Sequence, residues 1–459
     1  MARLSFFIVL LISDCCFAQA EDSAFFRKIA DEVLVNGKAY ENLRVLCKTV
    51  GGRLAGSPGM DKAEEWGVKT LLAMGAGKVY KQECMVPHWV RGGKDEAWIQ
   101  YKDSKGKQVK VLLDVLAIGN SVGTGSAGIK APVILIHDMA ELEQRKDEIK
   151  GKIVFYNIPF NPRYIEPGRA YGESGISRRS GASRAAKYGA VGVLIRSLTE
   201  SVDNNPHTGA LVYDSGLPKI PGAAMGLKDA DQLNKLLSSG QKAAAYFKTM
   251  AHFLADTIGH NIIGEIPGSA SPAEYITVGG HLDSWDPAEG AHDDGAGCVH
   301  SIEVLRTLKA LGYQPKHTIR VVLFANEENG LRGGTKYADE ALANNEKHIF
   351  ALESDNGGFT PRGFDFVMQP SMLAKIQEWL PLFKPYGVNF FGGGGGGADV
   401  SPLNQKSGVP VSEFRPDSQR YFDLHHARND VFENVNKREL ELGAVNMTAL
   451  IYMVDKYGL

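Results

Sequence analysis

The sequence predicts an α/β protein, with a sheet carrying parallel strands at its centre and helices on its flanks. Three observations carry that reading. From about Ile258 onward, short β-branched runs alternate with helical stripes. Ahead of them, a Gly/Ser-rich break at Gly119–Gly128 sets off a region with its own strand and helix pattern. The stretch from Phe25 to about Leu72 shows helical spacing. A chain of 459 residues has room for two or three domains.

Taken in order, Arg3 precedes the nearly all-apolar run Leu4–Ile12, and Ala18-Gln-Ala20 puts small residues where a signal peptidase reads. Residues 1–20 therefore read as a cleaved secretory signal, which implies a secreted or lysosomal protein. The run is too short to hold the chain in a bilayer, and no later stretch is apolar enough for a membrane span. Phe26, Ile29 and Val33 form one helical stripe, and Tyr40, Leu43 and Leu46 begin another. Strand-like runs come next near Val79, Ala97–Tyr101 and Val109–Leu116, so residues 41–118 are assigned to the N-terminal part of the main domain. Residues 119–250 form the inserted region, with strands at Val133–Ile136, Ile153–Tyr156 and Val191–Ile195 and a helix around Ser183–Tyr188. Residues 251–459 complete the main domain. Their strands are Tyr275–Val278, Ile319–Phe324, Ile349–Leu352 and Val409–Phe414. Helical stripes run through Val299, Ile302, Leu305 and Leu308 and through Met372, Ile376, Leu380 and Phe383, and Leu442, Val445, Leu450 and Val454 mark a closing helix.

Composition excludes several classes. Lys and Arg number 51 against 53 Asp and Glu, a net charge of −2 that gives no electrostatic reason for nucleic acid or an anionic membrane as partner. Cys15 and Cys16 leave with the signal; Cys47, Cys84 and Cys298 are an odd set, too few for a disulfide scaffold. Asn446-Met-Thr448 is a candidate glycan acceptor, set in a predicted helix.

The residues with chemistry to offer lie just beyond the strand ends. His281-Leu-Asp283, Glu327-Glu328, Asp355 and His425-His426 come after successive strands, and Asp293-Asp294-Gly295 precedes a helical stripe. Alone, each has an ordinary explanation: Asp293-Asp294 as a helix cap, the others as solvated turns and loops. Together they would line one edge of a parallel sheet, where ligands of such sheets collect. Clustered carboxylates repel unless a cation neutralises them. Imidazole and carboxylate donors suit zinc.

The order His-x-Asp, Asp-Asp-Gly, Glu-Glu, Asp, His resembles the co-catalytic zinc exopeptidases related to glutamate carboxypeptidase and the bacterial aminopeptidases. Gly279-Gly-His-Leu-Asp-Ser-Trp285 and Glu353-Ser-Asp-Asn-Gly357 look most like the carboxypeptidase Q subfamily. Gly151-Lys-Ile-Val154 and Ala185–Val193 resemble a protease-associated domain, a module that shapes the substrate site without catalytic groups of its own. The resemblance implies a mixed central sheet flanked by helices, an inserted β-rich domain and two zinc ions per chain. His281 and Asp355 would hold one zinc, Glu328 and His426 the other, with Asp293 bridging. Spacing leaves His425 open as the alternative; in family members a small residue succeeds the ligand and an acid stands four on, matching Ala427 and Asp430. Asp283 would orient His281, and Glu327 would be the general base. Short peptides with free termini would be the substrates, residues 21–40 a removable pro-segment, and a homodimer the assembly.

Gly392–Gly397, ahead of Asp399, reads as a linker or as a mobile loop near the pocket, and Arg53–Pro58 as structural. The rivals are an aminopeptidase on the same scaffold and a non-catalytic binding protein, which loss of metal donors would betray. A glycosidase using paired carboxylates leaves both histidines unexplained.

Overall fold

The computed structural model describes residues 20–459, so the segment read as a signal, residues 1–20, lies outside the described residues except for Ala20. A helix over residues 20–36 buries Phe26, Ile29, Ala30 and Val33 in the largest apolar core. Asp22 accepts hydrogen bonds from the Tyr452 and Tyr457 hydroxyls at 2.8 and 2.7 Å and from Lys456 Nζ at 2.7 Å. Part of the segment read as removable thus fills the core and is tied to the closing helix.

The main sheet has eight strands in the spatial order Lys78–Val86, Thr257–Ile266, His317–Phe324, Ser271–His281, Lys347–Glu353, Val411–Pro416, Pro361–Val367 and Phe390–Gly393. The four central strands, from His317–Phe324 to Val411–Pro416, are mutually parallel. Antiparallel strands adjoin them on both sides, which makes the sheet mixed. Ile319 to Phe324 are all buried, as a strand covered on both faces requires. One face packs against Ala296–Ala310 and the closing helix Lys437–Tyr457, which starts where the Asn436 side chain accepts the N–H groups of Arg438 and Glu439. On the other face, Tyr337, Ala338, Ala341 and Leu403 meet Ile263, Val322, Phe324 and Val411. Register pairs His281 with Phe324, Gly279 with Glu353 and Glu353 with Glu413, so the carboxyl ends of the central strands come level.

A second eight-stranded sheet runs Gln108–Leu113, Glu96–Lys102, Ala243–Lys248, Ile129–Ile136, Ile153–Tyr156, Gly192–Arg196, Gly222–Met225 and Val115–Ala117. It takes strands from both sides of Gly119–Gly128. The glycines mark a loop within this sheet, not its start, because Glu96–Lys102 pairs with Ala243–Lys248 from its far end. The short paired strands Trp89–Val90 and His252–Phe253 flank the segment that forms it. Arg91 bonds both Asp286 oxygens at 2.7 and 2.6 Å, and Arg428 Nη1 bonds both oxygens of Asp114 at 2.9 and 2.8 Å. These pairs hold the second sheet over the carboxyl edge of the first.

Asn446 corrects the glycan reading. It is fully buried in Lys437–Tyr457, where its amide donates to the carbonyls of Tyr386 and Leu442.

Candidate metal centre

His281 ends its strand, and the chain then leaves the sheet through Leu282–Gly290. That loop is held by Arg53, fully buried, whose guanidinium donates to the carbonyls of Leu282, Glu289 and Gly290 at 2.6, 2.5 and 2.9 Å. Asp294 caps the next helix: Oδ1 accepts the Gly297 N–H at 2.9 Å, while Oδ2 accepts the His281 N–H at 3.1 Å. The cap expected of the Asp-Asp pair therefore belongs to Asp294, which frees Asp293. Asp430 accepts the N–H groups of His292 and Asp293 at 2.8 and 3.1 Å and so fixes the Asp293 backbone. Gly280 is required nearby, since a Cβ there would stand 2.4 Å from Asp294 Oδ2.

The five predicted donors converge. His281 Nε2 lies 3.3 Å from Asp293 Oδ1 and 3.4 Å from Asp355 Oδ1. His426 Nε2 lies 3.3 Å from Asp293 Oδ2 and 3.1 Å from Glu328 Oε2. Donors about 2.0–2.1 Å from a tetrahedral ion stand about 3.3–3.4 Å apart. Asp293 offers one oxygen to each group, and its Oδ2 and Asp355 Oδ1 are buried without a hydrogen-bond partner. Polar atoms left bare in the interior are costly. Here they face imidazole nitrogens at coordination spacing, so the residues fit two divalent ions. His425 stacks on His426 with ring centroids 3.5 Å apart, and its Nε2 lies 3.6 Å from Asp293 Oδ2. His426 therefore meets two carboxylates and His425 one.

Asp283 is placed differently from the expectation. Its backbone oxygen, 2.9 Å from His281 Nδ1, orients the ring. Its carboxylate stands 3.7 Å from that nitrogen and accepts the N–H groups of Glu327 and Glu328 at 3.0 and 3.3 Å instead. The side chain thus supports the turn that carries Glu327 and Glu328. That turn begins at Asn326, whose φ of 62° suits asparagine. Burial pushes the Glu327 carboxyl up to about 8, with the charges of Asp355, Asp283 and Asp293 adding to the shift and His281 opposing it.

Glu327, Asp293, Glu328, Asp355 and His426 open onto a cavity of about 450 Å³. Its far wall comes from the inserted region, through Tyr171, Arg178 and Arg179. The sequence carries no motif around these residues, and only the packing of the second sheet brings them here. The glycine run is not a free linker: Gly392 and Gly393 close an edge strand, and Glu353 accepts the N–H groups of Ala398, Asp399 and Val400 just beyond the run.

Comparison with known proteins agrees with this geometry. The family model described as Peptidase family M28 matches residues 261–451. Carboxypeptidase Q of Mus musculus is 34% identical over 441 residues, covering 95% of this chain and 90% of the mouse chain. Carboxypeptidase Q of Xenopus laevis is 36% identical over 427 residues, covering 92% and 88%. Among solved structures, a Peptidase M28 precursor from Shewanella amazonensis superposes with a TM-score of 0.89 at 32% identity, covering 95% of this chain and 97% of its own. A zinc aminopeptidase from Bacillus subtilis, with a TM-score of 0.65 at 20% identity and coverage of 91% and 94%, shares the fold. With relatives of 32–36% identity matched along nearly its whole length, the chain belongs to peptidase family M28.

Proposed function

We propose that this chain is a di-zinc exopeptidase that hydrolyses dipeptides or short peptides with free termini. One observation carries the proposal: two donor groups at tetrahedral spacing share the single carboxylate of Asp293. His281 and Asp355 would hold one zinc, Glu328 and His426 the other, and Asp293 both. When bound, the pair supplies Lewis acidity that acidifies water, polarises the scissile carbonyl and stabilises the developing oxyanion.

The chain's own residues do the rest. Glu327 sits on a turn pinned by Asp283, which leaves its carboxylate in the cavity without a ligand's duty. As a carboxylate free of metal duty and facing the cavity, Glu327 can accept a proton from the attacking water and return it to the departing amine. The name of the relatives, carboxypeptidase Q, supports exopeptidase action. Entry into the secretory pathway, and from there secretion or lysosomal delivery, rests on the pattern of residues 1–20.

Glu327→Gln tests the mechanism. We expect two zinc ions per chain in both proteins, and dipeptide hydrolysis lower by about 10²–10⁴-fold in the variant. Full activity in the variant would remove Glu327 from the reaction. Protein that takes up no zinc and cleaves no dipeptide would favour the binding-protein reading.

A further inference from the structure

We propose that the inserted region is an integral part of the second metal site: its residues 207–209 orient His426, so the affinity of the second zinc, and not of the first, depends on that region. The inference rests on the di-zinc reading and deepens it. His426 stands in the left-handed region, with a φ of 64°, a conformation that a residue with a side chain adopts only at a cost. The loop's own bonds hold the amides on either side. The His425 N–H donates to the Tyr421 carbonyl and the Ala427 N–H to the Leu424 carbonyl, at 2.9 and 3.0 Å. The carbonyls are held from the inserted region instead. His207 Nδ1 donates to the His425 carbonyl at 2.8 Å, and the Thr208 N–H donates to the His426 carbonyl at 3.0 Å. His207 Nε2 is buried with no partner among the described residues, so the ring's one polar contact is that carbonyl.

The imidazole is oriented from the same side. With Nε2 turned to the metal, His426 Nδ1 carries the proton and donates to the Thr208 carbonyl at 3.3 Å. Gly209, at a φ of 123°, lets the segment come this close: a Cβ there would stand 2.6 Å from His426 Nδ1. Thr208 is fully buried and its hydroxyl donates to the Ala117 carbonyl at 2.9 Å, which fixes the accepting group to the second sheet. The other ligand of this site, Glu328, is reached as well. Asn120 Oδ1 accepts the Asn329 side-chain amide at 3.2 Å, and Asn120 Nδ2 donates to the Asn329 carbonyl at 3.4 Å, one residue beyond Glu328. The first site is built otherwise. His281 Nδ1 donates to the Asp283 carbonyl in its own loop, and the Ser354 N–H, beside Asp355, donates to the Gly279 carbonyl in the main sheet. A metal ligand binds less well when the group that fixes it is removed, so the two ions depend on different parts of the molecule.

The test titrates zinc into the metal-free full chain against a chromophoric chelator, which resolves the two binding steps. His426→Ala identifies the step that belongs to the second site. We expect His207→Leu and Gly209→Ala each to weaken that step by about 10–100-fold and to leave the other within about two-fold. His207→Asn, whose side-chain amide can donate where Nδ1 does, should restore most of the loss. No change in either step, equal weakening of both, or no restoration by His207→Asn would overturn the inference while leaving the di-zinc reading standing. If the variants at 207 and 209 do not fold, amide hydrogen exchange on the unaltered chain decides. Coupling is reciprocal, so filling the second site should slow exchange around Thr208 and filling the first should not. Equal protection by both ions, or none, would overturn the inference. A chain that binds fewer than two zinc ions would sink the di-zinc reading and this inference with it.

Discussion

At the scale of single residues, the candidate donors were legible and their supports were not. His281, Asp293, Glu328, Asp355 and His426 are visible because imidazoles and carboxylates after successive strands are rare without a cation to hold. Asp283 shows the limit of that logic. Its spacing from His281 suggests two side chains on one face, but period-two alternation ends with the strand at His281. The carboxylate therefore turns to the Glu327 and Glu328 amides. Asn446 shows the same limit, since a three-residue motif carries no information about burial. His300 yields a prediction. It is buried between the two helices of one face, with Nδ1 3.0 Å from Ser354 Oγ and Nε2 2.9 Å from the Leu440 carbonyl. Burial pulls its pKa down to about 4, so the folded chain needs it neutral. The unfolded chain binds the extra proton first as pH falls below about 6.5, so this stability is full above that pH and is lost toward pH 4. We expect about 2 kcal/mol to be lost between about pH 7 and pH 5. Chemical denaturation of His300→Gln and of the unaltered chain at both pH values checks it: the variant should lose about 2 kcal/mol less, while His207 and His292, also pulled down to about 4 by burial, keep their own share of the dependence.

At the scale of elements, hydrophobic period identified the strands and helices, and pairing between distant segments went unseen. The glycine-rich break shows why. Glycines announce a loop locally, whereas the membership of Glu96–Lys102 is decided by Ala243–Lys248, far along the chain. The helix over residues 20–36 carries the second prediction. It buries Phe26, Ile29, Ala30 and Val33, and Asp22 anchors it to the closing helix. Burial of such side chains stabilises by roughly 1.5–3 kcal/mol each, against a typical total of about 5–15 kcal/mol. A chain begun after residue 40 should therefore be insoluble or largely unfolded, judged by circular dichroism and thermal melting. A stable, active truncation would restore the removable pro-segment.

At the scale of the whole molecule, two sheets share one cavity: the first provides the donors and the second the opposite wall. Arg91 with Asp286 and Arg428 with Asp114 hold that arrangement. Arg428 and Asp114 are both exposed, and an ion pair of that kind contributes up to about 1 kcal/mol to folding. Its loss should appear in substrate binding more than in stability. For Arg428→Gln we expect KM to rise several-fold, kcat to change little and the melting temperature to stay within a few degrees. A fall in kcat at constant KM would show that this pair shapes the reacting centre itself.

The spread of the donors along the chain bears on biosynthesis. A ribosome releases the cavity's substrate-facing wall first, then His281, Asp293, Glu328 and Asp355, and His426 close to the end. The helix Lys437–Tyr457, which completes the core behind the main sheet, emerges later still. A peptidase that could act midway through its own translation would threaten neighbouring nascent chains. In this architecture, a chain interrupted before Tyr457 lacks either a candidate donor or the packing that aligns them, so the assembled centre arrives only after that helix has emerged.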